Sequence, residues 1–94
     1  MAHINYKDGR SVIIKKRLGD MVRKSRRTKG LSQRQAAEIL EMDRRNLQKI
    51  EGGDRNISLD NFAKLVDRLE ISHTEVLSLF QAKKLLEIGS NFNG

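Results

Sequence analysis

Cysteine and proline are both missing from this 94-residue chain. Without cysteine, neither a disulfide framework nor a thiolate metal site can form. Its absence fits a cytoplasmic protein. Without proline, nothing in the chain breaks a helix by removing a backbone donor, which suits an all-helical fold. No apolar run approaches the roughly 20 residues needed to span a bilayer, so no membrane partner is expected. The N-terminus alternates polar and apolar residues and carries no signal-peptide pattern. There is no repeat at solenoid spacing and no low-complexity segment.

What the chain does have is positive charge, unevenly spread. The net charge is +7: residues 1–30 contribute +8, residues 31–60 contribute −1, and residues 61–94 contribute 0. A basic N-terminal third points to a polyanion, either nucleic acid or an anionic membrane surface, although a solvated face has the same composition. The length allows one small domain, in which about 60–65% of the unfolded surface is buried.

Residues 1–14 read as a basic N-terminal arm with a turn at Asp8-Gly9. The triplet Val12-Ile13-Ile14 either begins the first helix or lies extended against the body; three residues carry no period. Residues 15–29 form the first full helix, with Leu18, Met21, Val22 and Ser25 on one stripe and Lys15, Arg23, Lys24 and Arg27 outside it. Arg26 lies near the buried stripe and calls for an acidic partner. Gly30 ends the helix.

The stretch Leu31 to Glu51 predicts two short helices joined by a tight turn. Ser32 and Gln35 make a capping box for the first, Gln33 to Leu40, whose Ala36 and Ala37 allow close approach. Asp43 stands at the N-cap of the second, Arg44 to Glu51. Leu47 and Ile50, three apart, point one way, and Arg44, Arg45, Gln48 and Lys49 fall largely on the other side. A helix fixed to a core by one face, with long hydrogen-bonding side chains on the other, is what reading a DNA groove requires. The solvated-face reading of the arginines gives way to this combination.

Gly52 to Ile57 reads as a loop in which Arg55 and free amides hold a phosphate, or as an ordinary connector. Ser58 caps a helix from Leu59 to Leu69, with Leu59, Phe62, Leu65, Val66 and Leu69 expected in the core. Ser72 with Glu75 is a second capping box and starts a helix near His73. Val76, Leu77, Phe80 and Leu79, followed by Leu85, Leu86 and Ile88, exceed what one small core needs. They are expected to form a dimer interface; the alternative is a tail folded back on its own domain. Residues 81–94 are thus a C-terminal extension, dimerising or frayed at its end.

LSQRQAAEILEMDRRNLQKIEGG, Leu31 to Gly53, resembles the helix-turn-helix of the XRE or Cro/C1-type repressors. The flanking LGDMVRKSRR and RNISLDNFAKLVDRLEIS resemble that family too, so the likeness spans roughly Lys16 to Phe80. It implies an all-α, five-helix lambda-repressor-like bundle comprising residues 15–80, with the basic arm before it and an apolar C-terminal helix. It implies that Gln33 binds a phosphate and braces the recognition helix, and that Arg44, Arg45, Gln48 and Lys49 face the major groove. Asn46 sits at the edge and contacts backbone. Arg26 pairs with Glu51 as a structural link.

Two departures stand out. Glu41 occupies the position of the family's turn glycine, where a left-handed non-glycine residue costs on the order of 1 kcal/mol and a looser or altered turn is expected. Ala36 replaces a usual leucine and leaves space for Met21 or Met42. The Asp43-Arg44 helix start and the run R-N-I-S-L at Arg55 to Leu59 resemble, more narrowly, the controller proteins of restriction–modification systems.

The expected function is sequence-specific transcriptional regulation by a homodimer on an approximately palindromic double-stranded DNA operator. Lys24 is expected to contact phosphate. An antitoxin-like or adaptor protein, with a protein partner at the apolar C-terminus, is the competing expectation. Enzymatic, metal and cofactor chemistry are not expected. His3 lies in the arm, His73 in a first helical turn, and no carboxylate constellation or phosphate loop is evident.

Overall fold

Helix ends dictate much of this fold. The computed structural model describes residues 9–81, and in these the elements are α1 (Gly9–Thr28), α2 (Gln33–Leu40), α3 (Arg44–Glu51), α4 (Leu59–Arg68) and α5 (His73–Ser78). The fold is the expected all-helical, five-helix arrangement. Ser32, Ser58 and Ser72 each accept a hydrogen bond from the backbone three residues on, and at Ser32 and Ser72 the glutamine or glutamate at that position bonds back to complete the box. Asp43 stands at the start of α3 with N-cap backbone angles, but its side chain makes no capping bond. This departs from the expectation drawn from residue type alone.

Four helices terminate in left-handed residues: Gly30, Glu41, Gly53 and Glu70. At each, two reverse bonds close the end, as in Leu31 N–H to the Arg26 carbonyl and Met42 N–H to the Ala37 carbonyl. Glu41 has φ 53 and ψ 48, so the turn keeps its left-handed form instead of loosening. The two non-glycine positions are each held by a cation. Arg68 Nη1 lies 3.2 Å from the Glu41 carboxylate and 2.9 Å from the Ile39 carbonyl. Lys29 pairs with Glu70.

α1 begins at Gly9, ahead of the predicted Lys15, so Val12-Ile13-Ile14 are helical and the predicted arm is helix from residue 9 on. Residues 1–8 and 82–94 lie outside the described region, and with them the outer arm, His3, Leu85, Leu86, Ile88 and the expected frayed end.

The core is drawn from four of the helices and the residues that follow α4 and α5: Leu18 and Val22 of α1, Ala36, Ala37 and Leu40 of α2, Leu47 and Ile50 of α3, Leu65 of α4, then Leu69, Ile71 and Leu79. A fully buried leucine contributes roughly 1.5–3 kcal/mol relative to exposure. Met21 and Met42 pack against this cluster, which includes the small Ala36. Of the residues expected in the core, Val66 is half-buried and outside the cluster, and one more does not belong. Leu59 is 80% exposed. It begins α4 at the margin of the stripe whose centre is Leu65 and Leu69, and no element among the described residues covers it.

Candidate nucleic-acid interface

The outer face of α3 is built by burying its inner face. Leu47 and Ile50 are in the core, and Arg44, Arg45, Gln48 and Lys49 are all exposed. Two neighbours hold the helix. α1 presses on its C-terminal end at Gly19, where a Cβ would stand 2.6 Å from the carbonyl oxygens of both Ile50 and Glu51. α2 leads into it through the Glu41 turn.

A row of polar bonds runs from this packing to the exposed face. Arg26 grips Glu51 with Nε at 2.6 Å from one carboxylate oxygen and Nη2 at 3.0 Å from the other. Its Nη1 donates to the Leu31 carbonyl, 2.9 Å away. Arg23 donates to the Glu51 main-chain carbonyl at 2.8 Å. Gln33 Nε2 donates to Glu51 Oε1 at 3.1 Å. Gln48 Nε2 then donates to Gln33 Oε1 at 3.2 Å. Arg26 and Glu51 are both buried. The hydrogen bonds that Arg26 donates to Glu51 raise the pKa of its guanidinium, outweighing burial, which acts the other way; the charge attraction adds to the rise. A buried pair of this kind is costly to break, about 3–5 kcal/mol when one partner is removed, because the other charge is stranded.

Beside α3 lies a shallow basic hollow lined by Arg26, Arg27, Ser32, Gln33, Arg34 and Arg44. It gathers side chains from the end of α1 and the starts of α2 and α3 around the first turn of α2. Such a concentration of guanidinium groups and first-turn backbone amides suits a phosphate oxygen.

The family model for helix-turn-helix proteins matches residues 22–76. The chain belongs to the helix-turn-helix family. This helix-turn-helix protein is also similar to a solved structure, the restriction-modification controller protein C.AhdI from Aeromonas hydrophila. The two are 38% identical, with a TM-score of 0.60, over 65% of this chain and 92% of that one. No curated protein matches the chain by sequence. It is an XRE-type DNA-binding transcriptional regulator.

The structure brings some of the predicted site residues together and separates others. Gln33, Gln48, Arg26 and Glu51 form the bonded row, and Arg44, Arg45 and Lys49 stand exposed next to it. Asn46 is turned inward: its Nδ2 lies 3.6 Å from Met42 Sδ, and its Oδ1 is buried with no hydrogen-bond partner among the described residues. Arg55 is exposed in the α3–α4 loop. Lys24 lies apart from the others. It lines a different hollow with Ser25, Thr28, Lys29, Leu69, Glu70 and Glu75, on the α4–α5 side of α1. Arg27 and Arg34 line the hollow beside α3. The sequence signal for them is position: both flank the short turn that leads into capped α2.

At the other end of the molecule, Leu77 is 70% and Phe80 53% exposed, while Val76 is half-buried. Leu79 is buried, and its carbonyl accepts a 2.9 Å bond from Arg17 of α1. No helix among the described residues is long and apolar enough to cross a membrane.

Proposed function

We propose that this protein is a homodimeric controller of transcription that reads an approximately palindromic operator, with α3 of each copy in successive major grooves about 34 Å apart. The observation that carries the reading is the division of α3, with Leu47 and Ile50 buried and four long polar side chains exposed. Arg44 and Arg45 meet guanine O6 and N7, where a bidentate arginine is worth about 1–3 kcal/mol of discrimination. Gln33 and the arginines of the neighbouring hollow hold the phosphate backbone. Arg55 adds a backbone contact from the α3–α4 loop.

Dimerisation is supported by the exposed Leu77 and Phe80, together with Leu59 and the half-buried Val76. Leu85 extends that apolar sequence into the C-terminal extension. The restriction–modification role is supported by the likeness to C.AhdI, whose length the match nearly spans. The same exposed α5 residues support a second reading, in which they bind a different protein as in an antitoxin or adaptor.

Selection from a random duplex library with the purified full chain tests the proposal. An inverted repeat with guanines in each half-site is the expected product, bound by a dimer in light scattering at micromolar concentration. A monomer selecting a single half-site contradicts the homodimer, and failure to enrich any sequence contradicts the controller reading.

A further inference from the structure

We propose that the buried Arg26–Glu51 pair sets base specificity: acting through Gln33, it fixes which end of the Gln48 amide faces the groove. This rests on α3 being the groove-facing helix and adds a positioning role to a pair that otherwise only holds the fold.

The argument is one of donor and acceptor parity. A carboxylate paired to arginine offers oxygens that only accept. Gln33 must therefore turn its NH2 toward Glu51, and Nε2 lies 3.1 Å from Oε1. That places the Gln33 carbonyl oxygen toward Gln48, again an acceptor. Gln48 must answer with its own NH2, and its Nε2 lies 3.2 Å away. One N–H of Gln48 is thus committed, and its Oε1 and second N–H remain for the exposed side. Turning Gln33 alone sets oxygen against oxygen at Glu51 and NH2 against NH2 at Gln48, and turning Gln48 alone sets oxygen against oxygen between the glutamines. The order of the row originates in the one member whose polarity is not reversible, Glu51, and Arg26 and Arg23 keep that member in place.

An acceptor beside a donor matches the major-groove edge of adenine, which presents the N6 amino group beside N7. Guanine presents O6 beside N7, two acceptors, and opposes the Gln48 oxygen. Gln48 is therefore a specificity-determining residue for adenine, and Gln33 and Glu51 are its positioning residues.

The test measures base preference at every operator position for the full chain and three variants, using duplexes drawn from the wild-type selection. Wild type is expected to favour adenine over guanine at one position per half-site by on the order of tenfold. Gln33→Ala leaves the Arg26–Glu51 pair intact and so keeps the fold; it is expected to abolish that preference while those set by Arg44 and Arg45 remain. Gln48→Ala loses the same position, and combining it with Gln33→Ala loses nothing more there. Glu51→Gln lets Arg26 take the new carbonyl oxygen, turns both amides over, and shifts the preference toward guanine. Should Glu51→Gln fail to fold by circular dichroism, the Gln33→Ala result decides alone. Gln33→Ala also loses a phosphate contact and so weakens binding to all sequences alike; if the adenine preference survives that uniform loss unchanged, the proposal is overturned. A wild-type chain with no sequence preference anywhere instead overturns the groove reading on which it rests.

Discussion

Around α3 the chain is secured by buried polar bonds and one tight backbone approach; around α5 it is not. Arg26, Arg23, Glu51 and Gln33 knit α1, α2 and α3 together, and Gly19 lets α1 touch the end of α3. α5 has six residues, none of them buried, and is secured by the Leu79 side chain that follows it and by Arg17 on the carbonyls of Ser78 and Leu79. Leu77 of α5 and Phe80 just beyond its end face outward. The difference fits the two tasks proposed for these regions. A helix that presents hydrogen-bonding groups to bases needs its orientation set before it binds, because a misplaced donor loses most of its bond. A surface that associates through apolar area needs only to be present and uncovered.

Removing the carboxylate from the α3 side should have the largest effect. Glu51→Ala strands Arg26 in the interior, and a loss of about 3–5 kcal/mol is expected in urea unfolding. Gly19→Ala follows, at about 1–3 kcal/mol, because the new methyl meets backbone oxygens that cannot swing aside. If Gly19→Ala unfolds at the wild-type midpoint, the close approach of α1 to α3 is not what holds that end.

In the α5 half the corresponding change should leave folding almost untouched. Leu77→Ser with Phe80→Ser is expected to shift monomer stability by no more than about 0.5 kcal/mol, as for exposed positions generally, while abolishing self-association in light scattering. The smallest effect concerns the Lys29–Glu70 pair on the surface. The hydrogen bond from Lys29, and secondarily its charge, lowers the Glu70 pKa. The pair therefore adds stability above the unfolded glutamate value of about 4.3, and that contribution disappears as pH falls through the lower folded value. Glu70→Gln should slightly flatten the acid limb of a stability–pH curve and leave the neutral region nearly unchanged.

Local signals made the helix-turn-helix legible. Ser32 with Gln35, and the spacing of Leu47 and Ile50, fix α2 and α3 at the bounds seen in the structure. Information that depends on a distant neighbour was not legible. Gly19 reads as a weak point in a helix until α3 is placed against it. Leu59 fits the helical period yet stays exposed, because periodicity defines a stripe and not the width of what covers it. Lys24 and Arg27 are both basic residues outside the buried stripe of α1. Only the docking of α4 and α5 on one side and α2 and α3 on the other separates them. Arg23 belongs with them: outside the stripe by sequence, it folds over onto the Glu51 carbonyl. Asn46 lies among the exposed polar residues of α3 in the sequence, but its side chain is turned onto Met42.

Fluorescence anisotropy of Arg44→Ala, Arg45→Ala and the double variant against a panel of single-base operator duplexes addresses the outward face of α3 most directly. Each single variant is expected to flatten discrimination at its own guanine by a factor of about 5–100 and to leave the other positions alone. Retention of the full wild-type preference by the double variant would contradict the assignment of α3 as the reading helix.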